Sequence, residues 1–172
     1  RPTDHPPDFR GLETPVALVD GAMMAANIAR MQAHIDALGV AFRPHVKTAK
    51  CVKVARLQRR AGARGITVST LREADQFFEA GFTDVLYAVG ITPNKMAHVL
   101  ALRERGCALK VIVDSVEAAQ ALVAAGRAAQ HAFDVLIEVD TDGQRAGVAP
   151  DSGLLLQIDD PRLVTQYVID AS

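Results

Sequence analysis

The chain has 172 residues and a net charge of −1, and 49% of its residues are hydrophobic, the composition of a globular domain and not of a disordered segment. Acidic and basic residues are mixed along the chain, so the sequence has no basic patch of the kind expected of a nucleic-acid-binding protein. It also has no tail rich in Lys and Arg that would indicate binding to a membrane surface. Cys51 and Cys107 have no CxxC or Cys/His cluster around them, which indicates a reducing, cytoplasmic compartment and excludes a zinc knuckle.

Residues 1–12 predict a polar arm, because its prolines disfavour regular structure and it has neither the apolar run of a signal peptide nor that of a membrane span. After this arm, short apolar segments alternate with helical patterns. In chain order, the predicted strands are residues 16–20, 40–47, 65–69, 85–89, 109–114, 133–140 and 162–169. The predicted helices are residues 23–38, 50–61, 71–80, 93–105 and 116–125, the last of them ended by Gly126.

These elements form β-α units that repeat about every 25 residues, with strands apolar enough to be buried on both faces. The pattern predicts a parallel sheet covered by helices, either doubly wound or a (β/α) barrel of the TIM type. No GxGxxG follows the first strand, so the dinucleotide-binding fingerprint is missing. A barrel needs eight strands and about 250 residues. We therefore expect residues 13–172 to form an incomplete barrel domain with five or six barrel strands.

The stretch at residues 42–50, FRPHVKTAK, concentrates basic side chains. In a strand, Arg43, His45 and Lys47 project to the same side. Inside a barrel, a bound phosphate or carboxylate would offset the cost of burying them together. Crowding and desolvation also favour the neutral amine of a lysine, the form that attacks an aldehyde. The alternative is that all three are ordinary basic residues that face solvent at a barrel end.

A second polar group lies at residues 137–148, IEVDTDGQRAGV. Glu138 and Asp140 share a strand face and Arg145 follows on the next loop, at the carboxyl end of a strand where barrel active sites are built. A carboxylate could there hold Arg145 in place for a ligand oxygen. A structural ion pair that fixes the loop explains these residues equally well.

The remaining candidates are weaker. Tyr87 could point inward to stack on a ring or bond a phosphate, or it could be a core residue with a satisfied hydroxyl. Thr67 and Ser69 share a strand face and could line a cavity. Thr70 and Glu73 have the spacing of a helix capping box, which needs no function. No histidine or cysteine has partners at the spacing of a metal site.

Several segments, in order from residue 13 to residue 148, resemble the D-threonine aldolase / D-serine dehydratase group of the alanine racemase-like, fold type III, pyridoxal phosphate (PLP) enzymes. They are ETPVALVD, NIARMQ, FRPHVKTAK, GITVSTLREADQFFEAGFTDVLYAVGI and IEVDTDGQRAGV. RPHVKT is the most specific of them. By position, the resemblance implies that Lys47 forms the Schiff base with PLP and that Arg145 lies near the ring hydroxyl with Glu138 beside it. His45 and Arg43 are then expected near the cofactor by strand geometry.

The resemblance implies a lyase that acts on a small D-β-hydroxy amino acid, of the D-serine dehydratase or D-threonine aldolase type. It also implies a divalent metal, Zn or Mn, and a homodimer for the full-length protein. An amino-acid racemase of the same fold and a non-catalytic PLP-binding homeostasis protein are the alternatives. The sequence departs from the group after Pro150, so we expect the C-terminal β-domain, the phosphate-binding loops and the metal ligands to be absent and the chain alone to be an inactive, shortened form.

Overall fold

The computed structural model describes residues 8–140 and 146–149, together with the backbone of residues 166–170. Much of the predicted polar arm, residues 1–7, lies outside this range. The helices are α1 (Gly21–Ala37), α2 (Val52–Ala61), α3 (Leu71–Glu79), α4 (Met96–Glu104) and α5 (Val116–Ala129), with a 3-10 turn (Pro93–Lys95) leading into α4. The strands are β1 (Ile66–Val68), β2 (Asp84–Gly90), β3 (Ala108–Val113), β4 (Asp134–Asp140) and β5 (Gln166–Asp170).

The five strands form one sheet in the sequential order β1-β2-β3-β4-β5, and every neighbouring pair is parallel. A doubly wound sheet reverses its strand order at a switch point, whereas a (β/α) barrel adds each strand on the same side. The strand order is sequential across the described sheet. The predicted α/β fold, an incomplete (β/α) barrel, is therefore confirmed.

Of the strand predicted at residues 40–47, the structure retains one parallel bridge, between His45 and Thr67. Pro44 has no N–H to donate, which limits how far this segment can pair. The strand predicted at residues 16–20 is wrong for the described structure. Val16 and Val19 there are exposed, and the segment has no sheet partner among the described residues. An apolar run forms a strand only where a neighbouring strand accepts its hydrogen bonds.

The core has two parts, separated by the alternation of side chains along the strands. On the outer side, strand residues pack against the helices; this cluster includes Val68, Val85, Tyr87, Val111 and Ile137 from the strands and Phe77, Val99, Leu102 and Leu122 from the helices. On the inner side, Leu86, Ile112 and Leu136 form a smaller cluster with Ala88. The inner side is the one that faces the barrel interior. No helix in the described part of the chain is long and apolar enough to cross a bilayer.

Helix α5 continues past Gly126, which the sequence predicted as its end. The helix runs to Ala129 and ends at Gln130, whose φ of 50° lies in the left-handed region. Gly126 instead allows a close approach, since a Cβ at this position would lie 2.8 Å from the backbone oxygen of His131. The glycine is therefore a packing requirement and not a stop signal.

We expect Gly126→Ala to destabilise the protein, because the added methyl group overlaps a backbone atom that has little freedom to move. The expected loss is about 1–3 kcal/mol of unfolding free energy, measured by urea denaturation. Gly21→Ala is the matched control, since nothing lies within 4 Å of a Cβ at Gly21. Equal unfolding midpoints for both variants and the unmodified protein would contradict the packing role of Gly126.

Candidate active site

The site lies where the segment at residues 42–47 meets the carboxyl end of β1. The N–H of Val46 donates to the carbonyl of Thr67 and the N–H of Thr67 donates to the carbonyl of Pro44, both at 2.9 Å. Val46 is 4% exposed and belongs to the core shared with the helices. Its neighbour His45 therefore projects to the inner side of the sheet. Lys47 lies in the turn that follows, at residues 47–49, so its predicted place on the same side stays a prediction. Lys47 itself is exposed.

His45 is held by hydrogen bonds on both ring nitrogens. Its Nδ1 accepts the backbone N–H of Lys47 at 3.2 Å, and its Nε2 lies 3.3 Å from the hydroxyl of Ser69. Burial lowers the pKa of His45 below its ordinary value, and the Lys47 cation lowers it further, while the Glu73 carboxylate opposes this. Because Nδ1 accepts a hydrogen bond from the Lys47 amide, the neutral ring carries its hydrogen on Nε2 and donates a hydrogen bond to the Ser69 hydroxyl.

Glu73, at the start of α3, is a buried residue close to His45 and Ser69. As the capping box predicts, its N–H donates to the hydroxyl of Thr70 at 3.0 Å, and its carboxylate accepts the N–H of Ser69 at 2.8 Å. Its other oxygen lies 3.1 Å from the ammonium of Lys50. Burial raises the pKa of Glu73, but the Ser69 N–H and Lys50 outweigh burial and hold the pKa below its usual value.

Arg43 lies at the opposite end of the strand from Lys47. It forms a two-pronged ion pair with Asp84, the first residue of β2, at 2.7 and 2.9 Å. Lys110 also donates to Asp84, at 2.9 Å. Gly65 leaves room for this carboxylate, since a Cβ there would lie 2.7 Å from it. The anion that Arg43 binds is thus an internal carboxylate at the amino end of the sheet, and the structure does not bring Arg43 to the Lys47 end.

The expectation that Tyr87 points inward is wrong. Tyr87 is 1% exposed and packs in the core shared with the helices, while its neighbours Leu86 and Ala88 take the inner side. Its hydroxyl lies 2.6 Å from the ammonium of Lys95, which also lies 5.2 Å from its ring centroid. Tyr87 is therefore the core tyrosine with a satisfied hydroxyl that the sequence offered as the alternative. This geometry gives no support for a contact between Tyr87 and a cofactor.

Arg145 lies outside the described residues, so its predicted role stays a prediction. The residues that follow it return to the end of β4, where the N–H of Val148 donates to the carbonyl of Glu138 at 2.8 Å. The N–H of Asp140 donates to the carbonyl of Val148 at 2.9 Å. Gly147 makes this return possible, with a φ of 118° and room for no Cβ beside Asp140. Residues 146–149 are therefore tied to the carboxyl end of β4.

Neither cysteine takes part in the site. Burial raises the pKa of Cys107 to about 11, so its thiol stays protonated and unreactive at neutral pH. Cys51 is the N-cap residue of α2 and makes no side-chain hydrogen bond there. Within residues 8–140 and 146–149, no group of three or more His, Cys, Asp or Glu side chains is arranged to hold a metal ion.

The residues at the carboxyl end fit a phosphate-bearing aldehyde such as PLP. Lys47 offers an exposed primary amine, and Lys47 and Lys50 together outnumber the single Glu73 carboxylate, which leaves a positive charge for an anionic ligand. His45, on the inner side of the sheet, accepts a hydrogen bond from the backbone N–H of Lys47. Lys50 was not predicted as a site residue, because its partner Glu73 is distant in sequence and matches a common capping pattern.

The chain is similar to several known proteins. It is 61% identical over 148 residues to a D-threo-3-hydroxyaspartate dehydratase from Delftia sp. (strain HT23), which covers 86% of this chain and 39% of the relative. It is 38% identical over 149 residues to a D-threonine aldolase from Arthrobacter sp., covering 84% of this chain and 38% of the relative. The chain thus spans less than two fifths of either relative.

Solved structures agree with the sequence matches. The structure of the Delftia dehydratase superposes with a TM-score of 0.82 at 60% identity, over 85% of this chain and 38% of that one. A further structure of a variant of that dehydratase is of a metal-free form. The family described as "Alanine racemase, N-terminal domain" matches residues 19–163, which include the strands of the described sheet up to β4 and the Lys47 site. The chain belongs to the alanine racemase N-terminal domain family.

Proposed function

We propose that this protein is a PLP-dependent lyase of D-β-hydroxy amino acids in which Lys47 holds the cofactor covalently. The observation that carries the proposal is the exposed Lys47 amine at the carboxyl end of the sheet, with a neutral His45 that accepts a hydrogen bond from the Lys47 backbone N–H. (β/α) barrels build their active sites at the carboxyl ends of the strands, which is the end where this exposed amine lies. The similarity to lyases over most of the chain supports the same assignment.

The described residues have distinct tasks in this proposal. When bound, PLP draws electrons away from the α-carbon of the substrate amine, which weakens the bonds to that carbon. Lys47, once displaced by the substrate amine, is placed to hold the proton that leaves the α-carbon. His45 keeps the backbone of Lys47 in place through its Nδ1 and stays neutral, so it adds no further cation beside the lysine.

Within this class we favour dehydration. Loss of the α-proton and of the β-hydroxyl releases water, and hydrolysis of the resulting enamine releases ammonia and a 2-oxo acid. The support is the 61% identity to a D-threo-3-hydroxyaspartate dehydratase, against 38% to a D-threonine aldolase. We therefore propose D-threo-3-hydroxyaspartate as the first substrate to test, with D-serine next.

The complete protein is further proposed to use a divalent metal, Zn or Mn, as a Lewis acid on the β-hydroxyl. The support is that one structure of a D-threo-3-hydroxyaspartate dehydratase variant is of its metal-free form. We also propose a homodimer, a cytoplasmic location and a small D-amino acid as the binding partner. No interaction with nucleic acid or membrane is expected.

Product analysis tests the function. The complete protein, loaded with PLP and Zn²⁺ or Mn²⁺, is offered D-threo-3-hydroxyaspartate, D-serine and D-threonine, each beside its L-enantiomer as control. We expect a 2-oxo acid and ammonia in equal amounts from a D-substrate only. Glycine and an aldehyde would assign the aldolase reaction instead. Racemisation alone, or tight PLP binding without any turnover, would overturn the lyase proposal in favour of the racemase or the cofactor-binding protein.

A further inference from the structure

Glu73 is more deeply buried than a helix cap requires. It is 4% exposed, the only carboxylate among the buried side chains of the described residues. Capping uses one of its oxygens, which accepts the Ser69 N–H, and a neutral glutamine serves equally well for that bond. The other oxygen is buried without a well-directed hydrogen bond and lies 3.1 Å from the Lys50 ammonium. Capping of α3 therefore does not account for the negative charge of Glu73.

One arm from Glu73 reaches the chain after Lys47. Lys50 has a φ of 44°, a left-handed conformation that is uncommon for a residue other than glycine. Its N–H donates to the carbonyl of Val46 at 2.8 Å, which closes a turn around Lys47. Such a conformation persists when its surroundings hold it in place. The side-chain contact of Lys50 that is available to hold it is the ion pair with Glu73, at 3.1 Å, although the Lys50 side chain is 64% exposed.

A second arm reaches the chain before Lys47. Ser69 donates its N–H to Glu73 at 2.8 Å, and its hydroxyl lies 3.3 Å from Nε2 of His45. His45 in turn accepts the backbone N–H of Lys47 at 3.2 Å. One buried carboxylate is thus connected to both flanks of the lysine, two residues before it and three residues after it.

We propose that Glu73 is a positioning residue, which fixes the turn at residues 45–50 and so holds Lys47 ready to bind the cofactor. The proposal rests on the proposed role of Lys47. Its rival is that Glu73 only caps α3. Glu73→Gln separates the two, because glutamine keeps the capping oxygen and removes the charge that Lys50 and His45 face. Glu79→Gln on the same helix is the matched control, since Glu79 is 67% exposed.

The first readout is the rate at which PLP is attached to Lys47 in the complete protein, trapped with borohydride at successive times and mapped by mass spectrometry. We expect Glu73→Gln to slow attachment by about tenfold to 100-fold, the effect of displacing a reacting group by about 1 Å. The thermal unfolding midpoint is expected to stay close to that of Glu79→Gln. Lys50→Met should slow attachment similarly, and Lys50→Arg should restore it, since arginine keeps the charge.

The second readout needs no cofactor. The charged groups that act on His45 are Lys47, which lowers its pKa, and Glu73, which raises it, beside the lowering by burial. Removing the Glu73 charge should therefore move the His45 titration, followed by NMR, to lower pH. The pKa of His45 in the folded protein is below its ordinary value. The folding free energy gained from this shift is therefore fully present at pH values above the ordinary pKa and is lost as pH falls through the folded-state pKa.

The outcomes separate the two proposals. Unchanged attachment rate and unchanged His45 titration in Glu73→Gln would leave Glu73 as a cap and overturn the positioning role. Slow attachment in Glu73→Gln with a normal rate in Lys50→Met would overturn the route through Lys50. If the unmodified protein takes no label on Lys47, the proposed function fails, while the His45 titration still decides whether Glu73 acts on this segment.

Discussion

Replacing Lys47 with alanine is expected to abolish covalent attachment of PLP and to lower turnover of a D-β-hydroxy amino acid by about 10³-fold or more. The reason is chemical, because alanine has no amine that could add to the aldehyde of PLP. Lys47→Arg should fail as well, since a guanidinium stays protonated and does not add to an aldehyde. Borohydride reduction after incubation with PLP, followed by peptide mapping, measures the attachment directly.

Lys53→Ala is the matched control, because Lys53 is an exposed lysine on α2 of the same region. It should label on Lys47 and turn over substrate like the unmodified protein. A phosphopyridoxyl group that remains after Lys47→Ala, on another lysine and with full activity, would refute the assignment of Lys47. Label on Lys47 in the unmodified protein would establish the cofactor and its anchor together.

Phe77→Ala is expected to lower the free energy of unfolding by about 3–5 kcal/mol, a large loss for a single change in the core. Phe77 is 2% exposed and packs edge to face on Phe82, with ring centroids 5.6 Å apart. Truncation leaves a cavity between α3 and the sheet and also removes the aromatic contact. Urea denaturation followed by circular dichroism measures the loss.

Phe9→Ala provides the control for this change, since Phe9 is 52% exposed and its replacement should leave the free energy of unfolding within about 0.5 kcal/mol of that of the unmodified protein. A loss below about 1 kcal/mol for Phe77→Ala would contradict its place in the core. Because α3 also carries Glu73, we expect the stability loss to be accompanied by slower attachment of PLP to Lys47.

The fold was largely predictable because its signals are local. Apolar runs and capping residues such as Ser115, whose hydroxyl accepts the Ala118 N–H, indicate where strands and helices begin. The errors arise where pairing and backbone packing decide. Residues 16–20 are apolar enough for a strand but pair with no strand among the described residues. Gly126 has the sequence pattern of a helix stop, although the close approach of the His131 carbonyl at the end of α5 explains it.

The site was predictable only in part. Alternation along the RPHVK stretch correctly placed His45 on the inner side, because that side follows from strand geometry, whereas Lys47 lies in a turn to which the alternation does not extend. Tyr87 was misplaced because its strand is buried on both faces, so apolar character does not tell which face is the inner one. The link between Lys50 and Glu73 joins the turn before α2 to the first turn of α3 and leaves no signal in the local sequence.

The ion pair of Arg43 with Asp84 also sets the alignment of the first segment against its neighbours. A slip of two residues in the pairing of residues 42–47 would keep every side chain on its own side, so burial alone opposes it weakly. Such a slip would move Lys47 by about 6–7 Å along the segment, away from the place proposed for the cofactor. It would also pull Arg43 away from the carboxylate that it holds at 2.7 Å. The ion pair of Arg43 therefore opposes a shift of Lys47 from the far end of the same segment, without contact with Lys47 itself.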